Sequence, residues 1–105
     1  MELTDEERAI LPQPTSPPDR IYEDSTNTEV QLFIYFRLRH VYDQENAKAL
    51  WEKVSKFRGT GHYVLRFKEE TWVEQLGIDG RMIYGDIEAL KYVHVSKDIE
   101  LYFQF

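Results

Sequence analysis

From Val30 to Tyr42 the apolar residues follow a two-residue period. Val30, Leu32, Ile34, Phe36, Leu38 and Tyr42 fall on one face of an extended chain, interrupted only by His40. Phe33, Tyr35, Arg37 and Arg39 fall on the other. This alternation predicts a strand over residues 29–42 with one face for a core and one rich in aromatic and cationic groups. The period then changes. Ala47, Leu50, Trp51, Val54 and Phe57 recur at three- and four-residue steps, which predicts an amphipathic helix with Asp43 as its N-cap and Gly59 as its stop.

His62 to Glu69 alternates again and predicts a second strand. Residues 71–76 are expected to form a short helix, since Thr71 and Glu74 have capping-box spacing; a strand is the competing reading. Asp79-Gly80 reads as a turn and Arg81–Asp86 as a short strand. Residues 91–95 and 99–105 suggest a hairpin closed by Ser96-Lys97-Asp98. Strand, helix, then further strands predict an α+β fold, a two-layer sandwich of mostly antiparallel sheet under one main helix. A ferredoxin-like topology, with a right-handed crossover, is the leading expectation.

Upstream, Thr4 and Glu7 have capping-box spacing ahead of a short helix over 3–11. Pro12, Pro14, Pro17 and Pro18 then predict a stiff, extended linker. Residues 1–28 therefore read as an acidic, proline-rich appendage, mobile or laid across a single domain of residues 29–105. Charge sharpens that division. Residues 1–28 hold seven acids and two bases, whereas residues 29–105 hold twelve acids and eleven bases. The net charge of −6 belongs mostly to the tail, so it does not forbid a basic face on the domain. The absence of cysteine excludes disulfides, thiol nucleophiles and Cys-based zinc sites, and fits a cytoplasmic chain. No apolar run approaches the roughly 18 residues of a membrane span, and the acidic N-terminus has no signal-like apolar stretch.

With the helix covering one face of the sheet, the other would show Phe33, Tyr35, Arg37 and Arg39, flanked by Arg66 and Lys68, with Tyr102 added by the terminal hairpin. Rings interleaved with cations suit an acidic or aromatic peptide, and equally suit single-stranded nucleic acid through stacking and phosphate contacts. The bland reading is cross-strand pairing for stability, or burial under the tail or a twin. The apolar final strand, Leu101-Tyr102-Phe103-Gln104-Phe105, is a second candidate surface, open to pairing with a second copy. Residues 58–67, Arg58-Gly59-Thr60-Gly61-His62-Tyr63-Val64-Leu65-Arg66-Phe67, look like the aromatic octapeptide of RNA-recognition-motif domains. Aligned on Phe67, however, Val64 stands where that motif has an aromatic and Tyr63 where it has a small residue. The segment would also be the second strand instead of the third, and no family is assigned on it.

The acidic tail could compete for the basic face at high effective concentration, or simply solubilise the chain. His40, His62 and His94 lack the spacing of a helical ligand pair, and no metal or cofactor is expected. Glu69-Glu70 and Asp86/Glu88 read as solvated carboxylates, no serine lies in a nucleophile elbow, and Gly59-Thr60-Gly61 leads from a helix, the reverse of a phosphate loop. Trp51 reads as packing on the helix stripe, and Trp72 as core or an exposed anchor. No catalytic residue is expected. The reading is a non-enzymatic protein-binding module, with single-stranded nucleic-acid binding as the alternative.

Overall fold

A computed structural model describes residues 3–13 and 16–103, with side chains described as far as Lys91. Among these residues there are six α-helices and one π-helical turn, and no strand. The helices are α1 (Asp5–Ile10), α2 (Asn27–Phe36), α3 (Ala47–Val54), α4 (Gly61–Val64), α5 (Glu69–Leu76) and α6 (Ile78–Phe103). The π-turn, Arg37–Val41, continues α2 directly. The expected α+β sandwich, and with it the ferredoxin-like topology, is overturned.

The physical reason is clearest in α2. Thr26 and Glu29 form a capping box, with Glu29 N donating to Thr26 Oγ1 at 3.1 Å and Thr26 N to Glu29 Oε1 at 3.0 Å. Two N–H groups that a helix start leaves open are thereby satisfied. The seven residues that follow, Val30–Phe36, are all buried. A run that is apolar all round fits a fully enclosed helix as well as a strand. The period-two alternation contrasted one apolar face with another, because Phe33 and Tyr35 lie in the core beside Ile34.

The other expected strands fail similarly. Of the strand expected over 62–69, residues 62–64 lie in α4. The Asp79-Gly80 turn, the strand over 81–86 and the hairpin up to Phe103 are all replaced by α6, whose Ile83, Ile87 and Leu90 share one face. The hairpin's last two residues, 104–105, lie outside the described residues. Where the period was helical a helix forms, though shorter than expected: α3 buries Ala47, Leu50 and Val54 but ends at Val54, leaving Phe57 and the expected stop at Gly59 in the loop beyond, while α5 covers the residues expected as helix. The cap of α3 is displaced. Asn46 Oδ1 accepts from Ala49 N at 3.1 Å, while Asp43 takes a left-handed φ of 55° and turns the chain into that cap.

Around α2 the core continues through Phe57, Trp72 and Leu76. Trp72 stacks on Phe57 with centroids 5.0 Å apart and meets Phe67 edge-on. Gln31, the one amide of the buried run, donates to Ser55 O and Phe57 O, both at 3.0 Å. It closes carbonyls at the end of α3 that no helical N–H reaches. α5 and α6 form the closest helix pair, hinged at Gly77 with φ 66°. Gly80 allows this approach, since a Cβ there would lie 2.1 Å from Trp72 O. Gly80→Ala is expected to lower stability by about 1–3 kcal/mol through overpacking. Gly85→Ala, where a Cβ meets nothing within 4 Å, is expected to raise it by about 0.5–1 kcal/mol. Urea denaturation of the two variants should move the midpoint in opposite directions.

Candidate functional site

The all-helical fold redistributes the residues singled out in the sequence. Phe33 and Tyr35 are fully buried and offer no face to a base or a peptide. Arg37 is half-buried, and its guanidinium binds Asp86 of α6 through Nε at 3.1 Å and Nη2 at 3.0 Å. Tyr42 OH completes the carboxylate's shell at 2.8 Å. This network ties the π-turn to α6. Burial, then the Asp86 carboxylate, pushes the Tyr42 phenol up from its ordinary value. Arg39 lies beside the Tyr35 hydroxyl, and its buried Nε has no hydrogen-bond partner. Lys68 is exposed at the start of α5. Tyr102 falls within α6, and its side chain lies outside the described residues.

The most concentrated electrostatics lie where α1 meets α2. Glu7 is 0% exposed. Its Oε1 accepts from Thr4 N at 3.0 Å and its Oε2 from Tyr35 OH at 2.6 Å, with His40 Nε2 at 4.0 Å. Burial pushes the Glu7 carboxyl up. The hydrogen bonds from the Thr4 backbone, Tyr35 and the Thr4 hydroxyl, with the nearby His40, outweigh it, so the net displacement is downward. Burial and the adjoining Glu7 carboxylate push the Tyr35 phenol far above its usual range. His40 stacks on Phe36 at 5.8 Å. π-turns often mark functional positions, yet none of the three cavities described below is lined by Glu7, Tyr35, Arg39 or His40. The cluster is an anchor for α1.

The candidate site is instead a groove of about 290 Å3 between residues 20–23, Leu65 and α6. Ile21, Leu65, Ile87 and Leu90 give it an apolar floor, and Arg20, Glu23 and Lys91 stand at its edges. Lys91 Nζ donates to Leu65 O at 2.7 Å and to Glu88 Oε1 at 3.1 Å, which fastens one wall. The opposite wall rests on Gly61: Gly61 N donates to Ser25 O at 2.8 Å, and a Cβ there would lie 1.8 Å from Tyr22 O. Ser25 Oγ accepts from Tyr22 N at 2.8 Å and closes this turn. Arg66 Nη1 and Nη2 clasp Glu23 at 3.0 Å each, with His62 Nδ1 at 3.2 Å, and Arg66 also donates to His62 O. The Arg66 bonds and the nearby His62 hold the Glu23 carboxyl below its ordinary value.

Two large rings stand out here, Tyr22 at 50% and Tyr63 at 64% exposure. Tyr63 meets His62 edge-on at 5.2 Å. The other two cavities are lined mostly by polar and charged groups, Gln44 to Lys53 in one and Glu69 to Arg81 in the other. Among the described residues no group of three or more His, Asp or Glu is placed to hold a metal ion, and no helix is long and apolar enough to cross a membrane. Of the expected binding residues whose side chains are described, only Arg66 adjoins the groove, through Glu23. Ile21 and Tyr22 stand as a lone apolar pair in a polar stretch of the sequence, and nothing local links them to Ile87 and Leu90. Comparisons with family models, with curated proteins and with solved structures find no match.

The Glu7 anchor generates two predictions. Its folded carboxyl titrates below the ordinary glutamate value of about 4.3, so its stabilisation is complete above that value. It is lost as pH falls through the lower folded value. Glu7→Gln should therefore flatten the acid limb of a stability-against-pH curve, and an unchanged limb would contradict the assignment. Tyr35→Phe removes a buried bond to a charged acceptor and is expected to cost about 1.5–3 kcal/mol in thermal or urea unfolding.

Proposed function

We propose that this chain is a non-enzymatic protein-binding module, acting as an adaptor, an inhibitor or a small subunit of an assembly, and that it receives its partner at the groove beside α6. The observation that carries this reading is the pairing of an apolar floor with exposed tyrosines. Ile21, Leu65, Ile87 and Leu90 form a depression that Tyr22 lines, with Tyr63 exposed on α4. Aromatic groups around a desolvated apolar centre are where binding free energy concentrates in protein interfaces. One Leu-sized side chain seated there would contribute about 1.5–3 kcal/mol. Arg20, Lys91 and Glu23 at the edges favour a partner segment with one apolar stripe and charges of both signs beside it. A cytoplasmic setting is part of the proposal, in keeping with a chain that holds no cysteine.

Photo-cross-linking in cells tests this. A photoreactive residue replacing Tyr63 is expected to capture a discrete partner, whereas one replacing exposed Glu52 on α3 captures none. Tyr22→Ala, which removes a half-exposed ring without emptying the core, should reduce the Tyr63 cross-link about tenfold. Equal capture from both positions, or capture indifferent to Tyr22→Ala, would overturn the groove as the contact surface.

A further inference from the structure

One wall of the groove has no helix of its own. Residues 20–23 are non-helical and face Leu65 and α6 across the groove. Ile21 is buried and sets the depth of this wall. At its base, Ser25 N donates to Tyr22 O at 3.0 Å and Gly61 N to Ser25 O at 2.8 Å, which joins the wall to the first residue of α4. Further out, the Glu23 carboxylate is gripped by Arg66, with Nη1 on Oε2 and Nη2 on Oε1 at 3.0 Å each, and His62 Nδ1 lies 3.2 Å from Oε1.

Gly61 and Arg66 stand at opposite ends of the α4 turn, roughly 8 Å apart along its axis. The contact at Gly61 alone would leave Ile21 to set the angle of the wall, and the clasp at Arg66 fixes that angle. A planar guanidinium bonded twice to one carboxylate defines direction as well as distance, which a point charge does not. Its energy is another matter. The side chains of Glu23, Arg66 and His62 are 57–59% exposed. Water and salt screen an ion pair so placed, and it contributes little to stability. The clasp therefore serves geometry more than stability.

We propose that Arg66, acting through Glu23, is a positioning residue of the groove, an assignment that rests on the groove being the partner's contact surface. Arg66 holds the wall of Ile21 and Tyr22 at the distance from Leu65 and α6 that admits an apolar side chain. Lys91 is its counterpart on the other wall, where its Nζ ties α6 to Leu65 O at 2.7 Å. Leu65 thus lies between two cationic ties, and together they fix the width of the groove. Breaking the Arg66 tie changes how the partner is received and leaves the fold intact.

Photo-cross-linking in cells from position 63, normalised to the amount of chain, tests this alongside thermal unfolding of the purified full chain. Arg66→Gln is expected to lower capture about tenfold, while moving the unfolding midpoint by less than about 4 °C. Exchanging the pair, Glu23→Arg with Arg66→Glu, should restore capture to within about threefold of the original, although each reversal alone lowers it. A midpoint that falls in step with capture would make the clasp a structural brace and overturn the proposal. So would an exchanged pair that fails to restore capture. Capture indifferent to Arg66→Gln but lowered by Tyr22→Ala would overturn the role of Arg66 and leave the groove standing. Capture indifferent to both variants would remove the groove and this role with it.

Discussion

The architecture follows from one constraint: α2 is enclosed on every side. Val30, Phe33, Ile34, Tyr35 and, in the π-turn, Leu38 are all fully buried. A helix that is apolar all round cannot lie on a surface, so other elements must close over it. α3 supplies Leu50 and Val54, the loop after it supplies Phe57, α5 brings Trp72, and α6 brings Ile83 and Ile87. The short helices have too little length to be stable alone and acquire their order by covering this one. The groove is a by-product of that coverage, formed where residues 20–23 and α6 do not quite meet.

Enclosure also decides how polar groups are treated. Gln31 and Tyr35 lie within the apolar run, and each would be costly if left unbonded. Gln31 spends its amide on two carbonyls of the loop after α3, and Tyr35 spends its hydroxyl on Glu7. Each polar residue inside α2 therefore fixes a different neighbour, and the same logic extends to the exterior. Gln44 and Lys53 converge on the buried Asp79 carboxylate, joining α3 and the segment before it to the start of α6. Gln75 binds both N and O of Arg58 and holds the loop before α4 against α5. The scaffold is joined mostly by side chains that meet backbone groups or paired charges across long separations.

Part of this was legible in the sequence. The Thr4–Glu7 box and the Ala47–Phe57 stripe each announced a helix, and a helix forms at each, the second ending at Val54. Thr26 and Glu29 have the same spacing ahead of α2, a signal that the period-two alternation obscured. The alternation misled because it could not distinguish an apolar residue facing solvent from one facing a second core layer. Ser96-Lys97-Asp98 looked like a turn between strands, yet α6 carries those residues through without a break. The groove was the least legible feature. It joins Ile21, Leu65 and Ile87 from three distant parts of the chain, and only tertiary packing brings them together.

The Glu7–Tyr35 bond spans 28 residues and closes around a proline-rich connector. α5 and α6, by contrast, meet across a single glycine. Loop closure costs more entropy over the longer span, so the α5–α6 pair can assemble early while α1 docks onto a body already formed. In the native state an opening of α1 breaks this one buried bond and exposes the enclosed helix along one side, while the contacts of α5 with α6 stay in place.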